Sequence, residues 1–147
     1  MKRILVPVDF SECSDNAFAR AVELAKAFGA TIDVLHVWEA PKFLPPELLI
    51  AGPGPQQTLA ELSKTRAEAE LGEFLNRVVP LGMSVGLAHA EEGSAATKIV
   101  EAASAGGYDL LVVGTHGRTG VERVLLGSVA ERVVRHAKIP VLSVRHA

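Results

Sequence analysis

Cysteine is almost absent: Cys13 stands alone in 147 residues. No intrachain disulfide can form, and a single thiol agrees with a reducing compartment. Long apolar runs are missing too. Although 48% of the residues are hydrophobic, no stretch approaches the length that a membrane span needs. The short run at residues 4–8, after the basic Met1-Lys2-Arg3 start, is stopped by Asp9 and is too brief for the core of a signal segment. Charge of one sign is not in surplus either. The formal net charge is −2, so no global field draws the chain to nucleic acid. These absences predict a cytoplasmic protein without a membrane or nucleic-acid partner. A chain of 147 residues suits one domain, 1–147, with a sizeable core.

Several chemical signatures are also lacking. His36, His89, His136 and His146 show no metal-ligand spacing with one another or with Cys13. Neither Ser11 nor Ser128 has a histidine adjacent in sequence, so no nucleophilic triad is indicated. No residue is assigned a catalytic role. There is no internal repeat and no low-complexity tract.

What is present is a strand that feeds a glycine-rich loop, which feeds a helix. Residues 109–113 form a continuously apolar run after Asp109, read as a buried strand. Gly114, Gly117, Gly127 and Ser128 follow, and residues 129–136 read as a helix. The spacing is not the dinucleotide fingerprint, because two residues separate Gly114 from Gly117. It is not a P-loop, because no lysine precedes Ser128. It still suits an anion. Glycines let the backbone approach a ligand closely. The first N–H groups of a helix lack intrahelical partners, and the helix dipole adds about half a positive charge there. His116, Arg118 and Arg123 add cationic groups, and Ser128 adds a hydroxyl. A phosphate is the natural guest; a plain strand-to-helix turn is the alternative.

The remaining chain alternates in the same way. Strands are predicted at residues 3–8, 31–37, 83–90, 109–113 and 141–144. The first helix starts near Ser14, buries Ala17, Ala21, Leu24, Ala25 and Phe28, and stops at Gly29. The second covers residues 58–79, with Ala67, Leu71, Phe74, Leu75 and Val78 inward. Glu91-Glu92 reads as a solvated turn. Gly93-Ser94 opens the third helix, with Ala96, Ile99, Val100 and Ala103 inward. Residues 39–57, rich in proline and glycine, read as a long loop without regular structure and as a candidate lid. Alternating units of this kind give a parallel sheet with helices on both faces.

In such a sheet the ligand sits beyond the C-terminal ends of the strands, where the strand order reverses. Pro7, Val8, Asp9 and Ser11 lie at the end of the first strand, and Gly114 to Gly117 lie at the end of the fourth. If these strands are neighbours, Asp9 faces the glycine loop. It then accepts hydrogen bonds from a ribose or base, or holds a metal carried by phosphates. The alternative is that Asp9 only caps the turn into the first helix.

These residues carry a resemblance over the full length. The Pro7-Val8-Asp9-Phe10-Ser11 tail, the glycine motif through Gly127-Ser128-Val129-Ala130-Glu131, and Pro140-Val141-Leu142-Ser143-Val144-Arg145 resemble the universal stress protein family, specifically its ATP-binding branch. Residues 39–57 match no family pattern. The resemblance implies a Rossmann-like α/β fold, of the adenine-nucleotide alpha-hydrolase type, with a five-stranded parallel sheet in the order 3-2-1-4-5. It implies ATP, with Mg2+, as the ligand. Asp9 would contact the nucleoside, the backbone of Val37 the adenine, and Gly114 the ribose. Gly117, Gly127, Ser128 and Val129 would hold the phosphates. His116 and Arg118 join them by position in the loop. The implied function is an ATP-binding stress-response regulator with slow or no hydrolysis. The alternatives are an ATPase or nucleotidyl transferase on the same scaffold, or a ligand-free interaction module. A homodimer paired through the last strand (Val141, Leu142, Ser143, Val144) is also implied.

Overall fold

The first strand explains the architecture. Its sequence is apolar at every position after Arg3, so neither face can meet water, as expected of a central parallel strand. The computed structural model describes residues 1–116 and 126–145. In chain order these form β1 (Arg3–Val8), α1 (Glu12–Phe28), β2 (Thr31–Trp38), β3 (Leu49–Ile50), β4 (Gln57–Thr58), α2 (Leu59–Val78), β5 (Ala88–Glu92), α3 (Ala95–Ala105), β6 (Leu110–Gly114), α4 (Ser128–His136) and β7 (Val141–Val144). The main sheet has five strands in the order β5-β2-β1-β6-β7, all paired in parallel. The single-domain α/β class is therefore as expected. Counted over the five parallel strands alone, the order is third, second, first, fourth, fifth. The added labels come from β3 and β4, which pair antiparallel in a separate ribbon.

Alternation along each strand divides the core between the two faces. Ile4, Val6, Val8, Ile32, Val34 and Val112 pack with Ala17, Phe18, Ala21 and Val22 of α1 and with Leu71 and Phe74 of α2. Leu5, Leu35, Leu111 and Val113 pack on the other face with Ile99 and Ala103 of α3 and Val133 of α4. Ala17, Ala21 and Ala25 of α1 are buried as expected, and Leu24 packs partly buried on the same cluster. Phe18 and Val22 are buried as well, whereas Phe28, the last residue of α1, is 60% exposed.

Element ends show the other differences. α1 begins at Glu12, not Ser14, because Ser11 is the N-cap and its Oγ accepts the Ser14 N–H. Gly29 closes α1 at φ 64°, a left-handed conformation natural to glycine. Thr58 caps α2 in a reciprocal box with Glu61, so the helix begins one residue later than expected, and Val79 is its C-cap rather than its last residue. β5 begins at Ala88 rather than 83: the Leu87 N–H goes to the Asp33 carboxylate instead of a neighbouring strand. The same strand runs through Glu91 and Glu92, which were expected in a turn. Residues 39–57 contain the β3–β4 ribbon, and the carbonyls of Pro46 and Leu48 accept the N–H groups of Ala60 and Leu59. That segment is thus tied to the start of α2.

Candidate functional site

β1 turns to β2 on one side and to β6 on the other, so the sheet's switch point lies between β1 and β6. Their C-terminal ends open on a cavity of about 260 Å³. The switch-point rule places ligand sites at such a crevice.

The β1 end is rigidly built. Asp9 Oδ1 accepts from the Ser11 N–H (3.1 Å), the Ser11 hydroxyl (2.5 Å) and the Ser14 hydroxyl (2.7 Å). Ser14 Oγ in turn accepts the Asp9 N–H at 3.0 Å. Three donors thus converge on one carboxylate oxygen. Asp9 therefore does cap the turn into α1, and it also lines the cavity; the two readings of this residue coexist. Phe10 follows at φ 66°, the one described non-glycine residue in left-handed conformation. Its ring lies 4.2 Å from that of the buried His36 and 5.6 Å from Phe74.

The β6 end is close-fitting. A Cβ on Gly114 would sit 2.8–2.9 Å from Cβ, C and O of Cys13, so only glycine lets β6 pass the start of α1. Thr115 is buried, its N–H donates to Val144 O, and its carbonyl accepts the Gly127 N–H at 2.6 Å. That contact delivers the chain directly to α4, whose N-cap is Gly127. Gly127 has no side chain with which to cap α4, so the cap residue itself supplies no acceptor to the first N–H groups of this helix.

The cavity has an apolar side and a polar side. Leu35, Val37, Ala95, Ile99, Val113, Ala130 and Val133 supply the first; Asp9, Ser14, Thr115, His116 and Ser128 supply the second. Of the residues expected from sequence, Pro7, Val8, Asp9, Val37, Gly114, His116, Gly127, Ser128 and Val129 line it. Ser11 does not; it serves the cavity only through Asp9. Gly117 and Arg118 lie outside the described residues. Ser14 and Thr115 were missed. Ser14 had been assigned to cap α1, and an isolated threonine inside a glycine motif carries no signal of its own.

A second polar cluster lies at the opposite, N-terminal ends of the strands. Asp33 is buried, and it accepts from Arg3, from the Tyr108 hydroxyl at 2.9 Å and from Leu87 N. Burial pushes the Asp33 carboxyl up, but the hydrogen bonds from Leu87, Arg3 and Tyr108 together outweigh it and hold it below its ordinary value. Burial, then the bond to Asp33, pushes the Tyr108 phenol up to about 12. Asp109 accepts the N–H groups of Lys2 and Arg3 beside this cluster. The arrangement locks three strand starts together and is remote from the cavity.

A doubly wound α/β domain with a cleft at its switch point, closed by a carboxylate on one wall and a helix N-terminus on the other, is the class that fold and site define. The chain belongs to the universal stress protein family, whose model matches residues 1–145. It is 38% identical to a universal stress protein of Methanocaldococcus jannaschii, MJ0531, over 98% of this chain and 82% of that one. Among solved structures it is similar to UspA of Lactobacillus plantarum, with a TM-score of 0.77, 28% identity, and coverage of 98% of this chain and 97% of that one. A universal stress protein solved in complex with cAMP aligns with a TM-score of 0.70 and 26% identity, covering 98% of this chain and 96% of that one. Among the described residues no helix is long and apolar enough to cross a membrane.

Proposed function

We propose that this chain belongs to the ATP-binding branch of its family and acts as a regulatory protein in the cytoplasm, as a homodimer paired through β7. The observation that carries this reading is the shared cavity of Asp9 and the α4 N-terminus. The apolar side, with Val37 and Ile99, suits a base. Asp9 suits ribose hydroxyls, or the Mg2+ that accompanies a polyphosphate. The N–H groups at Ser128 and Val129 suit phosphate oxygens, and Gly127, whose own N–H goes to Thr115, suits their close approach. Gly117 keeps its assignment from the family resemblance and Arg118 from its position in the loop; both lie outside the described residues. A structural neighbour solved with cAMP supports an adenine nucleotide as the ligand class.

Slow or no hydrolysis follows from the same site. Among the described lining residues Asp9 is the one carboxylate, and its Oδ1 is engaged by Ser11 and Ser14. A carboxylate so occupied is poorly placed to activate water, a role phosphoryl-transfer sites assign to a dedicated group. Mass spectrometry of small molecules released from purified protein, followed by turnover with saturating Mg-ATP, tests both points. Released ATP with negligible turnover is expected. Rapid turnover would make the protein an enzyme. A protein that neither carries nor takes up nucleotide would make it a ligand-free interaction module.

A further inference from the structure

His36 plays no part in the reading above, yet it is buried and touches the residues on either side of Asp9. Val8 and His36 are partners across the β1–β2 register. Val8 is the last residue of β1, and His36 Nδ1 lies 2.8 Å from its carbonyl oxygen. A carbonyl only accepts, so Nδ1 carries the proton in this contact. The same ring lies 4.2 Å from that of Phe10, at an interplanar angle of 35°. One imidazole thus holds both neighbours of Asp9: the residue before it by a hydrogen bond, the residue after it by ring contact.

We infer that His36 is the positioning residue of the nucleotide site. It sets the direction of the Asp9 carboxylate without touching the ligand, a role that rests on the nucleotide reading above. Phe10 makes the need concrete. A phenylalanine at φ 66° is intrinsically disfavoured, and such a conformation persists only where surrounding structure over-determines it. Phe74 and His36 supply that surrounding structure. Ser11 and Ser14 fix the carboxylate from the α1 side, and His36 fixes the backbone that carries it from the β2 side.

The test compares the native protein with His36→Phe, which keeps a ring against Phe10 but loses the donor to Val8. Amide hydrogen exchange in the ligand-free state is expected to accelerate about tenfold at Asp9, Phe10 and Ser11, as loss of one hydrogen bond allows, with Val6 and Ile32 unchanged. Equal acceleration across the sheet, or none at Asp9, would overturn the inference and leave a core histidine. ATP titration supplies the second arm. His36→Phe should weaken ATP about tenfold alone, and should add nothing in an Asp9→Ala background, because residues acting through one group are not additive. Additive losses would place its effect elsewhere. A native protein that does not bind ATP would sink the nucleotide reading, and the exchange arm would still judge the positioning role. If His36→Phe does not fold, nitrogen-15 shifts of native His36 decide. A protonated Nδ1 supports the inference, and a bare Nδ1 overturns it.

Discussion

At the scale of single residues, two positions allow sharp tests. Tyr108 is the only tyrosine, so tyrosinate absorbance reports it alone. With its phenol pushed up to about 12, the midpoint should lie near there in the folded protein rather than near the free value of about 10. A folded-state pKa above the unfolded one contributes stability that is complete below the unfolded value and lost as pH rises through the folded one. Stability should therefore fall across that alkaline interval, and a midpoint at the free value in the folded protein would contradict the Asp33 contact. Asp33 works in the opposite window: its lowered pKa contributes stability above the ordinary carboxylate range that is lost as pH falls through the folded value. Phe10 gives the second test. Phe10→Ala and Phe10→Gly both lose the ring, but alanine keeps the strain of φ 66°. The alanine variant should be the less stable of the two by about 1 kcal/mol in chemical denaturation, the usual scale of a left-handed penalty. Equal stabilities would mean that the backbone relaxes there.

At the scale of elements, β7 is the last strand of the sheet, and among the described residues it has one strand neighbour, β6. A bare edge invites another strand, and Val141, Leu142 and Val144 carry no charge to deter one. Two copies related by a two-fold axis would pair antiparallel there. Light scattering at micromolar concentration should report a dimer, and Ser143→Pro should weaken it while leaving the candidate cleft intact. A native monomer would refute the stable pairing, and a dimer insensitive to the proline would move the interface. The elements themselves were largely legible, because apolar runs at β1, β2, β6 and β7 survive as buried or half-buried strands. Boundaries were less so. Serines at 11 and 14 are equivalent cap candidates by type, and only the bond from Ser14 N to Ser11 Oγ decides between them. The start of β5 depended on Asp33, 54 positions away from Leu87, which no local pattern encodes. The short β3–β4 ribbon is too brief to leave a period-two signal.

At the scale of the whole molecule, the buried polar cluster and the candidate ligand cleft sit at opposite ends of the same strands. The Arg3–Asp33–Tyr108 cluster ties the strand starts, and the strand ends are left to glycine, short polar side chains and a helix N-terminus. Most of the candidate site was readable because an aspartate and a glycine-rich loop fall at the C-terminal ends of neighbouring strands, where the switch-point rule places ligand sites. Its apolar wall was readable only as core: Leu35, Ile99 and Val133 line the cavity and pack in the hydrophobic cluster at once. His36 was invisible as a functional residue, since a lone histidine in an apolar strand has no spacing to mark it.

Isothermal titration calorimetry of ATP and AMP into the native protein and into Gly127→Val tests the central claim most directly. Gly127 lines the cavity as the N-cap of α4, with φ −68° and ψ 159°, a backbone that valine tolerates. The backbone angles alone therefore do not bar the substitution, which adds a branched side chain at a residue that lines the cavity. Each favourable charge contact at a helix end contributes about 0.3–1 kcal/mol, so several phosphate contacts should make ATP bind more tightly than AMP. The account predicts that order of affinity in the native protein and loss of ATP binding in Gly127→Val; unchanged ATP affinity in the variant would contradict it.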